Sequence, residues 1–417
     1  MELIYCRMND TIEKTLFGRF TSMARNPYTP GAGTKPLFLA GREKELQDIE
    51  DTILDLLDGI PQQSVIYYGL RGVGKTVLLN EIQRITDEKE ILNDFFEISE
   101  DADFRYKLAL SIQKFILRLS NKELIKHKMH RLLSVFKSFV LTWQPDDGSF
   151  QLAMNQDIQP EIGMADGHNL SSDLTDLFVI LGEYAQMANT PVCFFIDEIQ
   201  NMKLEELEAI ISAIHRTNQK GYPIVVIGAG LPKIAKMAGD IKSYSERLFR
   251  FTQIGTLSPE AAIDALTQPA YKRGVTYTPE AIGLIMKETE GYPYFIQEFG
   301  KQTWSIKDCD EIDETIAKQA TDLFLNNLDD SFFKVRFDRA TTMEQNFMLA
   351  MAKCYQSHCT VSEVAQIMGK ETSSIGPYRA QLINKGLIYS TRHGEIDFTV
   401  PHFDKFLRRN KPAYFED

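Results

Sequence analysis

SVIYYGLRGVGKTVLLNEIQRI, Ser64 to Ile85, is the stretch on which the reading of this chain turns. Its first five residues are largely β-branched or aromatic and fit a short buried strand. GLRGVGKT then makes a glycine-rich turn, and VLLNEIQRI returns its apolar residues at helical spacing. Strand, loop and helix in that order are the setting that G-x-x-x-x-G-K-[ST] requires, and Gly69 to Thr76 match every fixed position. The glycines let the loop wrap so that successive backbone N–H groups face one point, and the helix N-terminus adds the positive end of its dipole. Such a loop cradles phosphates. The expected nucleotide contacts are therefore Gly69, Leu70, Arg71, Gly72, Val73, Gly74, Lys75, Thr76 and Val77. Lys75 should reach the β and γ phosphates of ATP, and the Thr76 hydroxyl should be a ligand of Mg2+.

Reading outward, CFFIDEIQ (Cys193 to Gln200) is an apolar strand that delivers Asp197 and Glu198 at its C-terminal end, where open α/β sheets bind ligands. Asp197 is expected to hold Mg2+ through water, and Glu198 to orient the water that attacks the γ-phosphate. A strand ending in Asp-Glu is weak by itself; beside the P-loop it gains weight. DFFEIS, YPIVVIGAG and RFTQIGTL supply further strands beside PVCFFID, alternating with helical patterns at GREKELQDIEDTILDLLDG, DLTDLFVILGEYAQMA and LEELEAIISAIHRT. Strands apolar on both faces that alternate with helices mean a covered parallel sheet. Residues 103 to about 140 read as one or two helices, and the polar stretch 142–173 as an insertion with a small hairpin pairing SFVLTW with SFQLAMN.

At 417 residues the chain is long enough for two or three domains, and 43% hydrophobic with 25% charged residues is ordinary globular composition. No uncharged apolar run is long enough to span a bilayer, and MELIYCRMND lacks a secretory pattern, so a cytoplasmic location is expected. Cys6, Cys193, Cys309, Cys354 and Cys359 are scattered without a C-x-x-C pair and read as reduced thiols. His127 with His130, and His358 with Cys359, lack further ligands for a metal and read as solvated side chains. The formal charge of −12 argues against an extended nucleic-acid coat but leaves room for a locally basic module.

On these motifs the chain resembles the AAA+ ATPases, in the branch that holds origin-recognition initiators, archaeal-type ATPases and STAND signalling ATPases. AGREKEL (Ala40 to Leu46) is similar to the box before the P-loop in that branch, and the resemblance implies that Arg42 lies close to the nucleotide. VVIGAGLP occupies the place of the sensor-1 strand, yet Gly228, Ala229 and Gly230 offer no polar side chain there. EGYPYFIQEFG resembles the G-x-P signature, which makes Tyr292 and Pro293 nucleotide contacts from the lid, with a plain helix-start proline as the competing reading. SYSERLFRF lies where such proteins place an arginine finger that reaches a neighbouring subunit. Arg247 is the better candidate for a catalytic role in an ATP-dependent homo-oligomer, and Arg250 is the reserve. NPYTPGAG either lies against the adenine or is a linker.

From Thr341 the pattern gives three helices and a hairpin, the winged helix-turn-helix arrangement. Nine Lys/Arg against eight Asp/Glu leave this end at +1 in a chain of −12. On duplex DNA, Ser373, Ser374, Tyr378, Arg379 and Gln381 would face the groove, with Arg392 and His393 at the wing tip. The fold expected is α/β: a P-loop NTPase parallel sheet with a helical lid domain and a C-terminal winged helix-turn-helix domain. Its boundaries are 1–37 for an N-terminal extension, 38–257 for the core with an insertion near 103–173, 258–335 for the lid and 336–417 for the winged helix. The function expected is an ATP-hydrolysing switch that acts on DNA. Two rivals stay open: a STAND-type signalling or defence scaffold with a protein partner, and a tight ATP binder with negligible turnover.

Overall fold

The computed structural model describes residues 25–99, 103–122, 129–144, 150, 157–241, 245–354, 359–392 and 394–416. By contact these fall into two units, 42–256 with 327–416 and 25–41 with 257–326.

The larger unit opens with helix α1 (Glu43–Leu57), strand β1 (Ser64–Tyr68), α2 (Lys75–Glu88), β2 (Leu92–Glu97), α3 (Phe104–Ser120) and α4 (His130–Trp143). It continues with α5 (Leu170–Met187), β3 (Val192–Asp197), α6 (Leu204–Gln219), β4 (Ile224–Gly230), α7 (Lys233–Ile241), α8 (Ser245–Leu248) and β5 (Phe249–Gln253). The five strands form one parallel sheet in the order β2-β3-β4-β1-β5. Every residue of β3 and β4 is buried, as a sheet with helices on both faces demands. Phe194 of β3 shows how the core closes: it stacks on Phe178 of α5 at 5.0 Å and meets Phe115 of α3 edge-on at 5.1 Å. Because β4 lies between β1 and β3, the loop after β1 and the carboxylates after β3 face each other across the end of a third strand.

The hairpin expected in the insertion is corrected by this structure. SFVLTW is the last turn and a half of α4, whose Leu132, Val135, Phe136, Phe139 and Val140 are buried at helical spacing, and its supposed partner SFQLAMN (149–155) lies outside the described residues except for the buried Phe150. Close packing also explains Gly182 in the middle of α5. A Cβ there would meet the Tyr222 side chain at 2.7 to 2.9 Å. Gly182→Ala should therefore cost stability, about 1 to 3 kcal/mol for overpacking, against about 1 kcal/mol gained in helix propensity. Thermal unfolding checks this: a melting temperature below wild type is expected, and one equal or higher would mean that the α5–Tyr222 contact yields freely.

The smaller unit holds α9 (Pro259–Tyr271), β6 (Thr276–Tyr277), α10 (Pro279–Thr289), α11 (Pro293–Ile306), β7 (Glu311–Ile312) and most of α12 (Glu314–Asn327). Three of these helices carry Pro at their first position, and Ser258 and Thr278 cap α9 and α10 by accepting from the amides of Ala261 and Ala281. NPYTPGAG is no free linker in this unit. Tyr28 is buried, its hydroxyl donates to the Leu266 carbonyl and lies 2.8 Å from the Tyr277 hydroxyl, and its ring fills the space left by Gly300.

The larger unit resumes with a π-helical turn (Leu328–Phe333) and α13 (Lys334–Asp338), followed by α14 (Thr342–Lys353), β8 (Cys359–Thr360), α15 (Val361–Ile367) and α16 (Thr372–Asn384). Strands β9 (Ile388–Ser390) and β10 (Glu395–Phe398) and helix α17 (Phe403–Asn410) complete it. The short strands pair antiparallel in the order β8-β10-β9. Beyond the three helices and hairpin expected, the module thus has a third strand and a last helix, the latter held by Phe403 and Phe406 against Phe333. Thr341 and Glu344 form a capping box at the start of α14, and Lys385 after α16 donates to the buried Glu344 carboxylate at 2.6 Å. A second correction lies here. Cys354 and Cys359, read as reduced thiols, are joined in a disulfide between the C-cap of α14 and the first residue of β8, their Cα atoms 5.8 Å apart. Among the described residues no helix is long and apolar enough to cross a membrane.

Candidate nucleotide site

Gly69 is clamped between two neighbouring strands. Its amide donates to the Gly230 carbonyl at 3.1 Å while Ile254 donates to Tyr68 at 2.7 Å, and a Cβ on Gly69 would lie 2.0 Å from the Ile254 carbonyl oxygen. Only glycine fits. Beyond it the loop needs the left-handed backbone of Gly72 and Gly74, with φ of +86° and +92°. Helix α2 then begins at Lys75, and the amides of its first turn have no intrahelical acceptor, which leaves them for an anion. Arg42 steadies this loop from beneath. It is buried, and its Nη2 donates to the carbonyls of Val73 at 3.2 Å and Gly255 at 2.7 Å, tying the loop to the end of β5. Burial lowers its pKa, and Glu45 and Glu43 oppose that shift.

Lys75 is buried within the loop, where Nζ donates to the carbonyls of Gly69 at 3.0 Å and Leu70 at 2.8 Å. Burial pulls its pKa down to about 8 although Glu198 and Asp197 pull it up. An ammonium held this way gains strongly from an anion brought to it. The Thr76 hydroxyl donates to Asp197 Oδ2 at 2.6 Å, and Asp197 Oδ1 accepts from the Glu198 amide at 2.8 Å. Burial raises the Asp197 pKa against those two bonds, so a cation beside the carboxylate would relieve it. A hydroxyl and a buried carboxylate side by side are hard oxygen donors of the kind Mg2+ takes with phosphate. The residues present fit Mg2+ and a nucleoside triphosphate.

Glu198 adopts a left-handed backbone, φ +52°, unusual for a side chain with a Cβ and a recurrent mark of functional turns. Its carboxylate accepts from Gln200 Nε2 and lies 3.8 Å from Arg71 Nη1. Gln200 is the residue that sequence reasoning missed. It is buried, and its Oε1 accepts from the Leu231 amide at 2.9 Å. A Cβ on Gly230 would come within 2.7 Å of that oxygen, so the glycines at the end of β4 make room for the amide. A polar side chain from beyond β3 thus lies at the end of β4, where β4 itself offers none. The signal was present in DEIQ facing GAG, but only the strand order gives it meaning.

The other expected residues are placed as follows. Val77 continues α2. Arg247 is exposed on α8, its carbonyl accepting from Gln63 at 2.7 Å, and Arg250 is half-buried on β5. No interaction among the described residues links Arg247 to the P-loop or to Asp197. Tyr292 and Pro293 belong to the smaller unit as N-cap and first residue of α11, with the buried Tyr292 ring 4.7 Å from Phe295. Pro293 therefore meets the helix-start description. On α16, Ser373, Ser374 and Gln381 are exposed and Tyr378 and Arg379 half-buried, Arg379 donating to Ser390 Oγ of β9 at 2.8 Å. Arg392 is exposed, and His393 lies outside the described residues.

Comparison with known proteins gives the site its setting. Residues 39–227 match the AAA ATPase domain, and residues 330–407 match a domain of unknown function (DUF8462). No curated protein matches the sequence. Among solved structures, a Walker-type ATPase of Pyrococcus abyssi is similar at 14% identity over 93% of this chain and 99% of that one, with a TM-score of 0.51. The ORC1 protein of Aeropyrum pernix in complex with DNA matches at 12% identity over 90% and 94%, TM-score 0.45. The RuvB Holliday junction branch migration motor of Thermotoga maritima matches at 15% over 88% and 94%, TM-score 0.43. At such identities the likeness speaks for the fold alone.

Proposed function

We propose that the AAA ATPase domain formed by residues 39–227 binds ATP with Mg2+ and hydrolyses it, and that the nucleotide state governs how the C-terminal module engages a partner, which we take to be duplex DNA. The observation that carries the reading is the meeting of Lys75, Thr76, Asp197 and Glu198 at the C-terminal ends of the sheet's strands, with Thr76 Oγ1 2.6 Å from Asp197. The loop amides and Lys75 would bind the phosphates; Thr76 and Asp197 would hold Mg2+, which neutralises charge on the β and γ phosphates. Glu198 would accept a hydrogen bond from water and aim it in line with the bond that breaks. Arg247, exposed on α8, is in our reading the residue offered to a neighbouring copy.

The order helix, strand, helix, helix, strand, strand over residues 342–398 supports the winged-helix reading, in which α16 would be the recognition helix. Its exposed Ser373, Ser374 and Gln381, flanked by Arg379 and Arg392, supply hydrogen-bond donors without strong attraction, so binding should be moderate and salt-dependent. Electrophoretic mobility shift of duplex DNA by the full chain with ATP, ADP or no nucleotide tests this. A shift stronger in one nucleotide state, weakening as salt rises and reduced by Gln381→Ala with Arg392→Ala, is expected. No shift in any state at low salt would assign the module to a protein partner, the scaffold reading favoured by its contact with the P-loop through Arg71 and Thr399.

A further inference from the structure

Arg71, the third residue of the P-loop, touches two things at once. Its Nη1 lies 3.8 Å from Glu198 Oε1, and its backbone amide donates to the Thr399 carbonyl, 3.4 Å away in the C-terminal module. A Cβ placed on Gly386 of the same module would sit 3.0 Å from Arg71 Nη2 and 3.2 Å from Leu231 Cδ1, so the guanidinium and the end of β4 rest directly on that glycine. Thr399 and Gly386 form one piece: the Thr399 hydroxyl donates to the Gly386 carbonyl at 2.6 Å, and the Thr399 amide donates to Leu387 at 3.0 Å. Arg71 and Leu231 each lead in a step or two to the Glu198 carboxylate. Arg71 pairs with it, while Leu231 donates to Gln200, whose Nε2 donates to Glu198.

A carboxylate that aims water must keep an oxygen open to accept from it, and Arg71 and Gln200 both direct donors at this one. The Arg71 pair is partly exposed and more distant than a hydrogen bond, so it adds little to stability and separates easily. Those are properties of a restraint that can be lifted. We propose that Arg71 is a positioning residue: it holds Glu198 away from the attacking water while residues 386–399 lie on the P-loop, and it yields the carboxylate when the module moves off. This rests on the reading of Glu198 as the water-orienting residue.

Steady-state ATP turnover of the full chain tests the inference in Arg71→Ala, Arg71→Lys, Gly386→Ala, Glu198→Gln and Arg71→Ala/Glu198→Gln. Removing a weak exposed pair should raise kcat about threefold in Arg71→Ala, with a smaller change in KM. Arg71→Lys keeps a cation there and should stay nearer wild type. Gly386→Ala, which crowds Arg71 from the module side at a φ of +64°, should also raise kcat. The double variant should be as inactive as Glu198→Gln. A kcat in Arg71→Ala equal to or below wild type overturns the proposal, as does a gain that survives in the double variant, for either means that Arg71 does not act through Glu198. Wild-type turnover in Glu198→Gln alone would instead remove the catalytic reading of Glu198, and this inference with it.

Discussion

Lys75→Ala loses tight ATP binding, by about 30-fold or more. In the loop Lys75 is a buried cation among backbone donors, and its ammonium now rests on two carbonyls, Gly69 at 3.0 Å and Leu70 at 2.8 Å. Hydrogen bonds to a charged group are worth roughly 1.5 to 3 kcal/mol, and each 1.4 kcal/mol is about a factor of ten in affinity. A phosphate brought to Lys75 exchanges those neutral acceptors for an anion, whose charge opposes the effect of the burial that pulls the pKa down to about 8. The alanine variant keeps the amides and the helix N-terminus, so weak binding remains. Calorimetric titration with ATP and Mg2+ reads this directly. An affinity within about twofold of wild type would remove the P-loop assignment.

Glu198→Gln separates binding from chemistry. The amide keeps the shape of the side chain and leaves Thr76, Asp197 and Lys75 where they are, so ATP and Mg2+ should bind about as in wild type. Turnover should fall about 100-fold or more, in line with the loss of a positioned proton acceptor. The left-handed turn at Glu198 supports a special role, since a backbone costing roughly 1 to 3 kcal/mol is kept only where the surroundings demand it.

How much of this was legible beforehand follows from how local each feature is. The β1 strand, its loop and α2 are one contiguous pattern, and the Asp197–Glu198 pair ends a strand apolar throughout, so both could be read from neighbours in sequence. The family resemblance led to Arg42, whose side chain holds the loop through Val73 and Gly255. SFVLTW misled because four of its six residues are β-branched or aromatic and fit a strand as well as a helix turn, and only the buried residues upstream in α4 settle the period. The Cys354–Cys359 bond was hidden by a spacing that carries no framework signature. Gln200 acquires its role from Gly230 in the neighbouring strand, and Arg71 from Gly386 and Thr399 some three hundred residues on. No periodicity connects such pairs; the fold does.

The measurement that bears most directly on the central claim is phosphate release from ATP by the full chain and by Glu198→Gln, side by side, with Mg2+ and with the metal chelated. Saturable release by wild type that vanishes on chelation, and release at least about 100-fold slower from a Glu198→Gln protein that still binds ATP, is what the geometry of Lys75, Thr76, Asp197 and Glu198 requires. Tight ATP binding by wild type with no release above that of Glu198→Gln would contradict it and leave a nucleotide-binding protein without turnover.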